Sequence, residues 1–290
     1  MGKGKLVNWL IFILLSVIWG SSFILMKECS KDLNGYQIAS IRIFSSGLLF
    51  LPFAIFHIKH IPIRKLHLVI ISGLLGNLLP AFLFAIAIEQ KINSSMAAIL
   101  NSLTPLFVIL IAIIFFKAHI HTKKIIGVLV GFAGLLFLSL SKGGITLDNY
   151  AFTLLILLAT VFYAINVNVV SHYLKEVDPI KMATVSLAFM GILAAIIVWQ
   201  QDVVSIARYD SGATKAIVFA VLLGIVGSAI ATALFYMLIK RAGGLFASLV
   251  TYAIPIVGIF WGVLFNEEIT LIQIGCLAII LAGVYLANKK

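Results

Sequence analysis

Two apolar stretches of this sequence each contain a proline that follows a polar residue at a spacing of four. Asn101 stands four residues before Pro105, and Thr251 stands four residues before Pro255. Proline has no N–H for the carbonyl four residues back, so in a helix the carbonyls of Asn101 and Thr251 lose their usual donor. Inside a membrane such carbonyls need another partner. We therefore expect Pro105 and Pro255 to be helix breaks that offer carbonyls and points of bending to a bound solute.

Polar and aromatic side chains also occur at matching places in the two halves of the chain. Trp19 and Ser22 correspond to Tyr163 and Asn166, and each pair is three residues apart, on one helical face. Amides and hydroxyls would give a solute directional contacts, and aromatic rings would give it walls. Ordinary contacts between helices are the alternative explanation for these residues. The candidate substrate-binding residues are Trp19, Asn77, Asn101, Tyr163, Asn166, Thr251 and Tyr252.

Arg42 is the one Lys or Arg of the sequence that falls well inside an apolar stretch. A cation at membrane depth is a functional candidate by default. Arg42 lies about two helical turns from the end of its stretch, so a side chain extended towards the interface, or bonded to carbonyls, explains it equally well. We expect no buried carboxylate that could carry protons, because Glu28, Glu89, Glu267 and Glu268 all fall at the ends of apolar stretches.

Reactive and metal-binding patterns are weak in this sequence. Cys29 and Cys276 form neither a disulfide framework nor a metal motif. His119 and His121 could hold a metal, but a solvated loop is the simpler interpretation. The sequence contains no glycine-rich loop for a phosphate, and no serine with an obvious histidine partner at membrane depth. We therefore predict no metal, no cofactor and no enzymatic activity.

The composition is that of a membrane protein. Of the 290 residues, 62% are hydrophobic and 11% are charged, and the mean hydropathy is +1.18. A soluble chain could not cover so much apolar surface. The net charge of +11 does not indicate nucleic acid, because the basic residues are scattered in short loops. Ten transmembrane helices are predicted, the first of them retained rather than cleaved as a signal peptide, at 8–27, 36–57, 67–88, 93–116, 123–141, 150–172, 179–200, 215–239, 244–266 and 271–288.

Lys and Arg residues are distributed unevenly between alternate loops. Fourteen lie on the same side as the N-terminus and six lie on the other side. Because cytoplasmic loops carry the excess of positive charge, both termini are predicted to be cytoplasmic. The expected location is the inner (plasma) membrane, with membrane lipid around the helices.

The second half of the sequence repeats the first at nearly constant offsets. Asn34 and Gly47 match Asp178 and Gly191 at an offset of 144, and the two prolines match at 150. An odd number of helices per unit inserts the two units in opposite orientations, and inverted repeats place a solute site at the membrane midplane between them. The predicted fold class is all-α integral membrane, with ten transmembrane helices as two inverted-topology five-helix repeats, 1–143 and 144–290.

Several motifs together resemble the EamA-type transporters of the drug/metabolite transporter superfamily. They are Trp19-Gly-Ser-Ser-Phe23, Arg42, the small residues before Pro105, the segment from Ala247 to Pro255, and Glu267-Glu268 followed by Gly275 and Gly283. The resemblance covers essentially the whole chain, and it implies ten helices, an inverted repeat and transport of small metabolites such as amino acids, with export favoured. One departure is Tyr163-Ala-Ile-Asn-Val where the first half has Trp-Gly-Ser-Ser-Phe, so the two halves of a cavity would differ chemically.

The expected function is therefore that of an inner-membrane secondary transporter working by alternating access. Its small-molecule substrate would be a neutral or zwitterionic metabolite with an apolar part. A membrane-embedded enzyme and a channel or scaffold are the alternatives. An enzyme would need a matched nucleophile and base, and a channel would more naturally form between identical subunits.

Overall fold

The structure is a computed structural model, and it describes residues 3–90, 94–141, 150–210, 212–264 and 270–288. All regular structure in these ranges is helical. The predicted boundary between 143 and 144 lies outside the described residues, as do Glu267 and Glu268.

Seven helices of the described part are long and apolar enough to cross a membrane. The described part also contains two shorter apolar helices, Gly244–Val257 and Ile274–Ala287. The predicted all-α fold is therefore confirmed, whereas the count of ten transmembrane helices stays a prediction. In chain order we number the helices α1 (Lys3–Cys29), α2 (Gly35–His57), α3 (Ile63–Glu89), α4 (Ser94–Asn101 and Thr104–Phe116), α5 (Thr122–Ser141), α6 (Tyr150–Tyr173), α7 (Pro179–Gln200), α8 (Thr214–Ala242), α9 (Gly244–Ser248 and Val250–Leu264) and α10 (Leu271–Asn288).

Helices α2 and α7 begin at residues that the repeat makes equivalent. Asn34 caps α2, because its Oδ1 accepts a hydrogen bond from the backbone N–H of Gln37 at 2.9 Å. Asp178 caps α7, and its Oδ1 accepts from the N–H groups of Ile180 and Lys181, both at 3.0 Å. Both side chains satisfy N–H groups that a helix start otherwise leaves unpaired. The offset of 144 therefore reflects the same local structure in both halves.

Glycines allow equivalent helices to pack closely in two places. Helix α2 packs on α7, and a Cβ on Gly47 would lie only 2.5 Å from the Cα of Gly191. Helix α5 packs on α10, where a Cβ on Gly283 would lie 2.5 Å from the Cα of Gly131. One turn further along α5, Gly134 packs against Ile279 and Ile280 of α10. Helices α1, α3, α4, α6, α8 and α9 surround the interior, and Arg42 of α2 also reaches it.

Helices α3 and α8 each widen into a π-helical turn at equivalent positions. The turns are Leu74–Leu78 in α3 and Leu223–Ile230 in α8. They contain Asn77 and Ser228, which correspond in the repeat. Single π turns inside α-helices are frequent at functional sites. A wider turn also opens backbone carbonyls to side chains of neighbouring helices, and the site described next depends on this.

Candidate functional site

A cavity lies between the two halves of the protein. Residues of α1, α2, α3, α4, α6, α8 and α9 line it. Its open volume is about 80 Å³, whereas one water needs about 10–15 Å³, so a small solute can be accommodated. Six of the seven predicted substrate-binding residues line this cavity: Trp19, Asn77, Asn101, Tyr163, Asn166 and Thr251.

The π turn of α8 holds two side chains of the first half in place. The carbonyl of Gly227 accepts a hydrogen bond from Trp19 Nε1 at 3.1 Å and one from Arg42 Nη2 at 3.4 Å. Arg42 Nε also donates to the Ser228 hydroxyl at 2.8 Å. The Arg42 side chain therefore points across to the second half and lines the cavity, rather than extending along its helix to the membrane surface.

The π turn of α3 supplies a second polar group. The Thr232 hydroxyl donates to Asn77 Oδ1 at 2.7 Å. Asn77 is 7% exposed, and its Nδ2 has no hydrogen-bond partner among the described residues. A buried N–H without an acceptor is costly and needs a reason. Because Asn77 lines the cavity, a bound solute or a water can supply the missing acceptor.

A chain of three hydrogen-bonding side chains forms another part of the cavity wall. The Ser72 hydroxyl donates to Asn166 Oδ1 at 2.5 Å and lies 2.9 Å from the Tyr236 hydroxyl. Since the Ser72 proton is used on Asn166, Tyr236 is the donor in the second bond. The Asn166 amide lies directly over Gly76, where a Cβ would overlap it. Helices α3, α6 and α8 are thus joined across the two halves.

Aromatic rings form the apolar part of the wall. Trp19 contacts Phe235 edge-on, with 5.1 Å between ring centroids. Phe84 contacts Tyr163 at 6.1 Å in a stacked arrangement and Phe23 at 5.8 Å edge-on. All five residues line the cavity. The site therefore combines a polar end at α3 and α8 with flat apolar surfaces.

The two proline breaks differ from the expectation of exposed carbonyls. The carbonyl of Asn101 accepts from the Thr104 hydroxyl at 2.6 Å, within the same helix. The Ser102 hydroxyl lies 3.0 Å from the carbonyl of Thr251, across the two halves, and 2.8 Å from the carbonyl of Ala98 in its own helix, so its one proton is shared between these two acceptors. A hydroxyl group therefore satisfies the carbonyl of Asn101 and serves the carbonyl of Thr251 in part, and the two broken helices meet at the contact from Ser102 to Thr251.

Tyr252 does not lie where the wall role predicted for it would require. Its side chain is fully buried, and its hydroxyl donates to the carbonyl of Val128 in α5 at 2.8 Å. Its ring lies against Gly131, where a Cβ would approach it to 2.5 Å. Tyr252 is not among the described residues that line the cavity, so it packs α9 against α5.

Ser102→Ala should lower the free energy of unfolding by about 1 kcal/mol, because the carbonyl of Thr251 loses its donor inside the membrane. In a Pro255→Ala background, the new N–H at position 255 can donate to the carbonyl of Thr251. Ser102→Ala should therefore lower the free energy of unfolding clearly less in that background. Reversible unfolding of the purified protein measures both differences. Ser46→Ala is the matched control, since this buried serine bonds only within α2 and its cost should not depend on position 255. Equal costs of Ser102→Ala in both backgrounds would contradict the bond across the halves.

Several residues of the site did not enter the candidate set derived from the sequence. Arg42 was left open between a functional and a structural role, and Ser22, Thr104, Ser228, Thr232 and Tyr236 were not chosen, although all of them line the cavity. The spacing of the sequence could have identified Thr232, because it lies one helical turn after Ser228, the residue that corresponds to Asn77 in the repeat.

The structure also bears on metal binding. Among the described residues, no group of three His, Cys, Asp or Glu side chains could hold a metal ion.

A second cavity of about 440 Å³ lies next to the first. Its lining includes Ser171, His172, Lys175 and Lys240, residues near the loop ends that carry the excess of basic side chains. Tyr236 is the one described residue that lines both cavities. At the same end, Lys65 Nζ donates to Glu176 at 2.6 Å, and this bond lowers the pKa of the Glu176 carboxyl.

The chain is similar to membrane transporters over its whole length. The sequence model of the EamA-like transporter family matches residues 7–140 and again residues 152–289. A protein of Archaeoglobus fulgidus named as an uncharacterized transporter is 25% identical over 98% of this chain and 99% of its own. The inner membrane transporter YedA of Escherichia coli, also named as uncharacterized, is 25% identical over 94% of this chain and 88% of its own. A solved crystal structure shares the fold, with a TM-score of 0.69 and 16% identity over 99% of this chain and 96% of that one.

Proposed function

Because the chain belongs to the EamA-like transporter family, we propose that it is a secondary transporter of the inner membrane that moves a small metabolite by alternating access. The observation that carries this proposal is the central cavity, which polar side chains from both halves line. Inverted-repeat transporters hold their solutes at this place, on helices interrupted at corresponding positions. A solute with an apolar part, such as an amino acid, suits a wall that is polar at one end and aromatic elsewhere.

Two features support alternating access. The interrupted helices α4 and α9 meet at the hydrogen bond from Ser102 to Thr251, and α3 and α8 carry π turns beside the cavity. Interrupted helices and π turns are where helices bend most easily, so each half can move relative to the other around the solute.

The orientation and the direction of transport rest on the sequence. The excess of Lys and Arg supports a cytoplasmic location for both termini. The name of YedA supports the inner membrane as the location. Efflux is the direction that the family resemblance favours, and two inverted five-helix repeats, divided near residues 143 and 144, are the topology we propose.

Counterflow in liposomes tests the proposed function. Liposomes containing the purified protein and an unlabelled metabolite extract should take up a labelled solute from the same extract in a saturable way. Asn101→Ala, in the cavity wall, should weaken the apparent affinity by roughly tenfold. Asn8→Ala removes the same group outside the cavity lining and should leave it unchanged. Flux that does not saturate and does not depend on internal solute would indicate a channel, and no exchange of any solute would refute the transporter assignment.

A further inference from the structure

We infer that the cavity recognises its solute by a carboxylate group, which Arg42 and Asn77 bind together. This inference rests on the proposed transport function and adds the chemical class of the substrate to it. The solute would be a small organic monoanion, or an amino acid bound through its carboxylate, with an apolar body. Three observations lead to this class: a cation without a counter-ion, an amide donor without an acceptor in the same cavity, and a cavity wall without acidic groups.

The positive charge of Arg42 has no counter-ion in the described part of the protein. The ion pairs there join Lys31 to Glu28 and Lys65 to Glu176, and neither includes Arg42. The partners of Arg42 are neutral, a hydroxyl and a carbonyl. A charge held at membrane depth is costly unless an opposite charge accompanies it. A carboxylate on the solute would supply that charge, and it would do so only while the solute is bound.

Arg42 has donors to spare for such a group. The guanidinium has five N–H donors in one plane, and the bonds to Ser228 and Gly227 use Nε and Nη2. These bonds fix the plane of the guanidinium, so its remaining N–H groups are already oriented when a solute arrives. Arg is well suited to bind a carboxylate through two parallel hydrogen bonds.

The side chains of Asn77 and Arg42 both attach to α8 and both line the cavity. Arg42 bonds to Ser228, and Asn77 bonds to Thr232 four residues later, which is about 6 Å along a helix. The buried Nδ2 of Asn77 lacks an acceptor among the described residues. An ionised carboxylate accepts hydrogen bonds and donates none, so it matches both groups at once, whereas a carboxamide would bring its own N–H groups against these donors.

The rest of the wall distinguishes the two ends of the solute. None of the described residues that line the cavity is Asp or Glu, so an ammonium group would find no carboxylate there. The aromatic rings of Trp19, Phe235, Phe84 and Tyr163 offer contact to an apolar body. A monocarboxylate without an amino group should therefore bind at least as tightly as the related amino acid.

Pairs of acids and amides of equal shape test this inference. We would measure the binding of isovalerate and isovaleramide, 3-phenylpropionate and 3-phenylpropanamide, and leucine and leucinamide to the purified protein, from the increase in thermal stability with ligand concentration. Each acid should bind roughly 30-fold or more tightly than its amide, because removing one member of a buried charged pair has effects of this size.

Variants of Arg42 and Asn77 test whether these two donors cause the preference for acids over amides. Arg42→Gln should bring the affinity for the acids down to that for the amides, and Arg241→Gln, which removes the same charge from an exposed arginine bonded to Asn8, should leave the preference unchanged. Asn77→Asp removes the donor and places a second carboxylate in the cavity that Arg42 lines, so it should abolish the preference for acids even if Arg42→Gln does not fold.

The outcomes separate this inference from the proposed function. An amide that binds as tightly as its acid, a preference that survives Arg42→Gln or Asn77→Asp, or a panel in which no acid binds, would each overturn the carboxylate site. Saturable counterflow of neutral solutes alone would overturn it as well and leave the transporter proposal standing. Absence of counterflow with acids that do bind would instead refute transport.

Discussion

Gly47→Ala should destabilise the protein by roughly 3 kcal/mol or more, because it forces apart the backbones of α2 and α7. A Cβ on Gly47 would lie 2.5 Å from the Cα of Gly191 and 2.7 Å from the carbonyl oxygen of Leu187. Both are backbone atoms, so no side chain can rotate away. The two helices join the halves of the protein, and their separation would disturb the whole interface.

The comparison variant for Gly47→Ala is Gly275→Ala in α10. A Cβ there would meet no described atom within 4 Å. In a helix, alanine is favoured over glycine by about 1 kcal/mol, so Gly275→Ala should be neutral or stabilising. Thermal unfolding and the yield of monodisperse protein in detergent measure both variants. Gly47→Ala with the stability of the wild type would contradict the close approach of α2 and α7.

A second substitution at the same contact sharpens the test. Gly191→Ala places a Cβ 2.6 Å from the Cα of Gly47, so it disturbs the same pair of atoms. Once one alanine has moved the backbones of α2 and α7 apart, the second alanine causes a smaller further displacement. The double variant should therefore lose less stability than the sum of the single variants. Additive losses would mean that each glycine is required for a separate reason.

The sequence predicted which positions of the two halves correspond, because a cap or a close approach restricts the residue at one position whatever surrounds it. The matched residues Asn34 and Asp178 cap equivalent helices, and the structure adds that the matched glycines Gly47 and Gly191 face each other. Six of the seven candidate residues line one cavity for a related reason. In a mostly apolar chain, polar groups at membrane depth must face one another or an internal space.

The sequence could not predict hydrogen bonds and side-chain contacts for which several neighbouring groups are possible partners. The proline spacing predicts free carbonyls at Asn101 and Thr251, but the hydroxyl of Thr104 bonds to the first and the hydroxyl of Ser102 lies 3.0 Å from the second. Tyr252 stands one residue after Thr251 and therefore points about 100° away from it around the helix, towards α5 rather than the cavity. The π turns leave no mark on the pattern of apolar residues, and the π turn of α8 carries the carbonyl of Gly227 that accepts from Trp19 and Arg42.

Tyr236 should be the barrier between the central cavity and the larger cavity beside it. Its side chain is 1% exposed and, among the described residues, it alone lines both spaces. The hydroxyl is held by Ser72, which in turn is held by Asn166. Alternating access requires that one side of the solute site be closed while the other is open. The ring of Tyr236 lies between the central cavity and the cavity that Lys175 and Lys240 line.

Tyr236→Ala should raise the rate at which a water-soluble thiol reagent reaches the central cavity by about 100-fold or more. Replacing a large buried aromatic side chain by alanine removes packing worth about 3–5 kcal/mol of folding stability. If about the same amount keeps the two cavities apart, the rate changes by 100-fold or more, since each 1.4 kcal/mol or so is tenfold. Ser22→Cys places the reporter thiol in the cavity wall with little change in shape, in a protein whose Cys29 and Cys276 have been replaced by alanine. Labelling in inside-out membrane vesicles exposes the face on which we place the larger cavity.

Two further variants decide whether the ring or its hydroxyl closes the site. Tyr236→Phe keeps the ring and loses the bond to Ser72, so labelling should rise by about tenfold, in line with the loss of one buried hydrogen bond. Tyr285→Ala removes a tyrosine that is 66% exposed, and it should change nothing. If Tyr236→Ala is labelled no faster than Tyr285→Ala, the barrier lies elsewhere. If Tyr236→Phe equals Tyr236→Ala, the hydrogen bonds through Ser72 and Asn166 hold the site closed, and opening then requires the two halves to break that chain.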